Sequence, residues 1–164
     1  MTTEDGAAFA REVQERLAGM GVELPKPADA SYTYDTVVVW GDIAFVSGQI
    51  PKLDGAVAFQ GVVGDGPTID DGIAAAQLCA ANAIAQLDRA VGLERVARVL
   101  KLNGYVASAP GFVQHPSVIE GASKFLVAAL GEAGRHARTA LGVPRLPADA
   151  LVEIELVVGL RPAA

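Results

Sequence analysis

The sequence predicts an α+β sandwich: one mixed β-sheet covered on one face by two helices, with a further helix leading the chain. Three observations carry this. Helix and strand signals follow one another as a leading helix, then β-β-α-β-α-β-β. Two long stretches, 68–91 and 116–130, repeat apolar side chains at helical spacing. The strand from Leu151 to Val157 alternates, with Val152, Ile154 and Leu156 on one side and Glu153 and Glu155 on the other. A face bearing two carboxylates needs water, a partner or a ligand, because burying an unpaired carboxylate is too costly.

Taken in order, Thr3 is placed to cap a helix whose first turn holds Glu4 and Asp5, favourable against the helix dipole. Phe9, Val13, Leu17 and Met20 form its stripe and Gly21 its stop. Pro25 and Pro27 break the pattern into an extended arm. Tyr34 to Trp40 is β-branched and aromatic, hence a strand. Gly41-Asp42 is a two-residue hairpin turn, and Ile43 to Val46 returns into Ser47-Gly48-Gln49-Ile50-Pro51. Residues 52–67, rich in Gly, Asp and Pro, read as a rim loop with a short strand near Ala56 to Phe59. Thr68 with Asp70 and Asp71 opens the first long helix, which Gly92 closes. Val96 to Ala107 is a strand, Pro116-Ser117 opens the second helix, and Gly131 and Gly134 stop it. A last pair of strands carries Arg138 and Glu153 across a turn containing Pro144 and Pro147, which would bring an Arg and a Glu into one pocket.

The 164 residues suit one core without staples. A hydrophobic fraction of 51% and a charged fraction of 20% describe a globular chain. The net charge of −6 argues against a nucleic-acid partner, whose footprint is a basic patch. No apolar run reaches the ~18 residues of a spanning helix, and the acidic start lacks a signal peptide's basic and apolar regions. No membrane partner and a cytoplasmic location are expected. The lone Cys79 sits in an alanine-rich helical pattern and reads as packing. Neither histidine has a second ligand at metal spacing, so no metal is expected; His136 reads as a helix end and His115 as exposed loop. The glycines at 61, 64 and 66 lack the Gly-Lys-Ser/Thr of a phosphate loop. With two helices on one face, a single copy exposes the other face, and self-association with pockets between copies is the economical solution.

Four blocks resemble the RidA/YjgF family, the reactive-intermediate deaminases also known as L-PSP endoribonucleases. They are Ser47-Gly48-Gln49-Ile50-Pro51, Tyr34 upstream of it, Ala137-Arg138-Thr139, and Arg145-Leu146-Pro147 followed by Val152-Glu153-Ile154-Glu155-Leu156. The resemblance, to a longer subgroup with an extra N-terminal helix, implies a chorismate-mutase-like fold. It divides the chain into a helix and arm over 1–30 and a RidA-like domain over 31–164. It implies a homotrimer with clefts between subunits and, without any cofactor, hydrolysis of 2-imino or enamino acids to 2-oxo acids and ammonia. By the same resemblance Arg138 clamps the substrate carboxylate, as its planar fork of donors suits, and Glu153 positions or activates water. Tyr34 and Ser47 supply hydroxyls, Gly48 and Ala140 supply backbone groups, and Thr139 and Glu120 join the substrate-binding set.

Two positions depart from the family pattern. Ala140 stands where many members have cysteine, and Ile119 or Glu120 stands near the place of a pocket asparagine. Several residues also have a plainer reading: Arg138 as an ordinary interface or salt-bridge arginine, and Glu153 as a solvated strand glutamate or one paired with a neighbouring arginine. Glu120 fits a capping box with Ser117, Glu155 a structural strand glutamate, Tyr34 a packed aromatic and Ser47 turn chemistry. The alternative function is a trimeric binding protein that holds a small carboxylate such as a 2-oxo acid without turnover. Ribonuclease activity is opposed by the charge balance and by the absence of a histidine pair for RNA cleavage.

Overall fold

The computed structural model describes residues 3–162. Helix α1 (Thr3–Gly19) leads the chain and is already under way at Thr3; the capping side chain expected there lies outside the described residues. Its Val13 and Leu17 are buried, and Phe9 lies under the Arg161 guanidinium, 4.6 Å from the ring centroid. Strands β1 (Val37–Trp40) and β2 (Ile43–Gln49) form the expected hairpin, and β3 (Lys52–Leu53) and β4 (Ala56–Val57) a small one at the rim. Helix α2 (Ile69–Val91) starts at a complete capping box between Thr68 and Asp71. Strand β5 (Val96–Ala107), helix α3 (His115–Leu130), and strands β6 (Ala137–Val143) and β7 (Val152–Leu160) complete the chain.

The five-stranded sheet runs β1-β2-β7-β5-β6 and is mixed: β5 and β6 are parallel and the other neighbours antiparallel. The last two strands are therefore not partners, as the pairing of β6 with β7 across the proline turn would have it. Helix α3 makes a crossover that lays β6 beside β5, the connection parallel strands require, and β7 inserts between β2 and β5. Leu102, Val106, Val152, Ile154, Leu156 and Val158 are buried under α2 and α3. Each such large side chain contributes about 1.5–3 kcal/mol. Cys79 is fully buried in α2, with its thiol pushed well up by burial.

Two element starts differ from expectation in ways that bear on the site. Tyr34 precedes β1 in an irregular segment because Arg89 donates to Ala28 O, Asp29 and Thr36 Oγ, fixing the arm before the strand begins. Helix α3 starts at His115, capped at Gln114 without a side-chain bond, so Ser117 lies inside the first turn and the Ser117–Glu120 box does not form. Accordingly His115 is a half-buried helical residue and not exposed loop.

The face away from the helices is open. Val38, Trp40, Ile43, Phe45, Leu100 and Leu141 lie exposed on it, Trp40 to 82%. Contiguous apolar surface of this kind marks an association surface. No helix among the described residues is long and apolar enough to cross a membrane.

Helices α2 and α3 approach through glycine. A Cβ on Gly121 would run into the Ile73 carbonyl oxygen, and one on Gly72 would lie 2.9 Å from Val118 Cγ1. Gly121→Ala is expected to lower stability by about 1–3 kcal/mol in urea unfolding. Gly19→Ala, in open space at the end of α1, should leave it unchanged or raise it by up to about 1 kcal/mol.

Candidate active site

Glu153 reaches the open face from the central strand β7, opposite Tyr105 of β5. On its other side β2 is irregular between Val46 and Gln49, and Gly48 sits at that bulge. The Glu153 carboxylate packs onto the bare α-carbon of Gly48, and a Cβ there would collide with Oε1. Gly48 thus makes room for the carboxylate, a role the sequence reading gave only to its backbone.

The two strand glutamates have different surroundings. Glu155 accepts hydrogen bonds from Asn103 Nδ2 at 2.8 Å and the Tyr105 hydroxyl at 3.3 Å. Glu153 is half-buried with no hydrogen bond or ion pair among the described residues. Burial first, and then the charge of Glu155, push its carboxyl above the usual range. Burial and the same glutamates raise the Tyr105 phenol.

Glu153 borders a cavity of about 580 Å³ whose wall includes Tyr34, Ser47, Gly48, Tyr32 and Lys52. The structure brings Tyr34, Ser47, Gly48 and Glu153 of the expected set together. The Ser47 hydroxyl donates to Asp35 O at 2.6 Å, so its proton is committed and only its lone pairs face outward. Tyr32 and Lys52 were not singled out from sequence. The arm reads as a linker, and only its fixing by Arg89 and Gln86 makes it a wall.

Arg138 lies elsewhere, on the edge strand β6 under α3. Its Nη1 donates to Glu120 Oε2 at 2.8 Å and to Ser123 Oγ at 3.1 Å. Glu120 is therefore the arginine's partner and not a helix cap. The Ser123 hydroxyl lies 3.0 Å from His136 Nε2, and His136 Nδ1 lies 2.6 Å from Gly134 O. The carbonyl places the ring proton on Nδ1, which leaves Nε2 to accept from Ser123. Burial, chiefly, lowers the His136 imidazole, in keeping with a neutral orienting group. With Nη1 so held, Nε and Nη2 have no protein partner among the described residues and present one edge of the fork. The spacing of Glu120 and Ser123, one helical turn apart, was the available clue to this clamp.

Arg138 and Glu153 do not share a pocket within one chain. Arg138 registers with Leu102, whose side chain points to the helices, while Glu153 registers with Tyr105 on the open face. Strand β5 also intervenes. The expectation that the proline turn would bring them together inside one chain fails on this parity. Thr139 likewise faces away from Arg138 and accepts from Lys101 Nζ at 2.8 Å. Ala140 packs its methyl against the core. Ser108 N donates to Val143 O, so Val143 and its alternates point at β5, and the N–H groups of Ala140 and Gly142 point to the free edge. No group of three or more His, Cys, Asp or Glu side chains able to hold a metal exists among the described residues.

The family described as YjgF/chorismate_mutase-like, putative endoribonuclease matches residues 14–160. The chain belongs to the YjgF family. Protein TCP17 of Trypanosoma cruzi is 41% identical over 150 residues, covering 90% of this chain and 94% of that protein. The crystal structure of Atu1372 from Agrobacterium tumefaciens, a protein of unknown function, is 39% identical. It covers 94% of this chain and 97% of its own, with a TM-score of 0.88. A protein of Shewanella oneidensis described as a putative endoribonuclease is 36% identical, with coverage of 90% and 99% and a TM-score of 0.87. YjgF membership establishes the fold; the chemistry has to be read from the two half-sites.

Replacing Glu155 with Gln removes the neighbouring charge and should lower the Glu153 pKa. Side-chain carboxyl titration by NMR checks this, and an unmoved or raised value contradicts it.

Proposed function

We propose that this YjgF protein hydrolyses small 2-imino or enamino acids to 2-oxo acids and ammonia. It works as a homotrimer whose clefts join Arg138 of one copy to Glu153 of the next. The observation that carries this is Glu153, a half-buried carboxylate on a cavity wall with no partner among the described residues. A structural carboxylate is paired, whereas a general base is held poised. The open apolar face beside it supports burial against a second copy, which is how the second half-site would arrive.

The chemistry follows from the groups available. The free edge of the Arg138 guanidinium receives the substrate carboxylate in two parallel bonds. The Ala140 N–H at the open strand edge orients the reacting end, a role that needs no cysteine side chain. Tyr34, Ser47 and Gly48 wall the Glu153 side. Glu153 takes a proton from water as the oxygen attacks C2 of the iminium, giving a carbinolamine. The protonated Glu153 passes that proton to the nitrogen. The hydroxyl then loses its proton to Glu153 as the C–N bond breaks, and ammonia leaves with that proton. No cofactor is required, because the iminium carbon is already electrophilic.

The same two half-sites without turnover would hold 2-oxo acids as a binding protein. Ala140 in place of the family cysteine is the feature that favours that reading, and saturable calorimetric binding without ammonia release would select it.

Ammonia release from imino acids generated in situ tests the proposal. Arg138→Ala should lose about 10–100-fold through KM. Glu153→Gln should lose about 10²–10⁴-fold in kcat. Because Glu153 must be ionised, activity should fall as pH drops through its raised pKa, and Glu155→Gln should move that limb to lower pH. A wild type no faster than the uncatalysed reaction refutes the enzyme.

A further inference from the structure

A second cavity, of about 700 Å³, lies at the far end of β6 from Arg138 and is lined by Ser108, Phe112, His115, Gly142 and Arg145 among others. Ser108 follows the last residue of β5, and its neighbourhood is held from two sides. Its N–H donates to Val143 O, and the next N–H, of Ala109, donates to Val63 O. The Ser108 hydroxyl lies 3.0 Å from His115 Nε2. The imidazole is set by the Phe112 ring, edge-on at 5.2 Å between centroids and 75° between planes. The slot for this pair exists because residue 142 is glycine. A Cβ there would collide with His115 Nε2 and would lie 2.9 Å from Ser108 Oγ.

Two residues that carry donors line the same space. The Gly142 N–H points to the free edge of β6. Arg145 uses Nη1 on Asp149 Oδ1 at 2.8 Å, and its other guanidinium N–H groups have no partner among the described residues. Val62, Pro110 and Phe112 supply an apolar wall. A hydroxyl in contact with a base, a packed ring that fixes the base, donors for an oxyanion and an apolar acyl wall are the parts of a nucleophilic acyl-transfer site.

We propose that Ser108 and His115 form a nucleophile–base pair that hydrolyses esters of small apolar acids, at a site separate from Arg138 and Glu153. Ser108 Oγ attacks the ester carbonyl carbon while its proton passes to His115 Nε2. The negative charge that develops on the carbonyl oxygen faces the Gly142 N–H and Arg145. The C–O bond to the alcohol breaks, and the leaving oxygen takes the proton from His115. A water molecule then attacks the acyl-serine with His115 again accepting the proton. The acid is released, and the proton returns to Ser108. The net change is ester plus water to acid plus alcohol. None of these groups belongs to the imine-hydrolysing half-sites, so the two activities stand or fall separately.

An irreversible fluorophosphonate probe, with the modified residue located by peptide mass spectrometry, tests the pair in the wild-type protein. The expected result is a phosphonyl adduct on Ser108. His115→Gln should form it at least about tenfold more slowly, and Arg138→Ala at the wild-type rate. Hydrolysis of p-nitrophenyl acetate should be lost in Ser108→Ala. Absence of an adduct on Ser108 in the wild type, or ester hydrolysis unchanged in Ser108→Ala, overturns the proposal. The wild-type adduct needs no variant to fold.

Discussion

The contact of the Glu153 carboxylate with the bare α-carbon of Gly48 is the constraint on which the site depends. The bulge in β2 brings the glycine under the side chain, and β7, in the middle of the sheet, fixes where that side chain starts. The donors of neighbouring β5, Asn103 and Tyr105, go to Glu155 instead. A carboxylate so placed costs stability at neutral pH, since the fold raises its pKa and then holds it charged. Structures keep such strain where chemistry uses it.

The arginine end is built on the opposite logic. Arg138 is fully directed on one side, by Glu120 and by a Ser123 whose hydroxyl is in turn oriented by a neutral His136, and open on the other. Side-chain alternation puts this clamp on the helix face and Glu153 on the open face, so one chain carries two halves and no whole. The proposed cleft therefore needs a second copy for chemical reasons, independently of the apolar residues that invite one. The N–H groups directed to the free edge of β6 add a row of donors between Arg138 and the Ser108–His115 pair.

Much of this fold is legible in the sequence because it rests on period and punctuation. The alternation from Val152 to Leu156, the Thr68–Asp71 cap and the Gly41-Asp42 turn each act locally. Strand order is not local. Nothing in 137–160 announces that β5 separates β6 from β7, because the proline turn is as compatible with a hairpin as with a crossing. The site shows the same division. Glu153 and Arg138 carry their chemistry in their identity, whereas the contact at Gly48 and the pairing of Glu120 with Arg138 exist only once elements distant in sequence meet. Ser117 and Glu120 have the spacing of a capping box, yet the helix starts earlier and the glutamate goes to the guanidinium. His115 looked like loop because Pro116 suggested a later helix start, and its partner Ser108 stands on another element.

The central claim is that the site is shared between copies, and complementation measures it directly. Arg138→Ala and Glu153→Gln chains, each impaired alone, are co-refolded in equal amounts and assayed for ammonia release at substrate well below KM. In a trimer with one Arg138 and one Glu153 per interface, every mixed trimer regains one intact cleft. About a quarter of wild-type activity is then expected. Mixtures no more active than either variant alone would contradict the shared site.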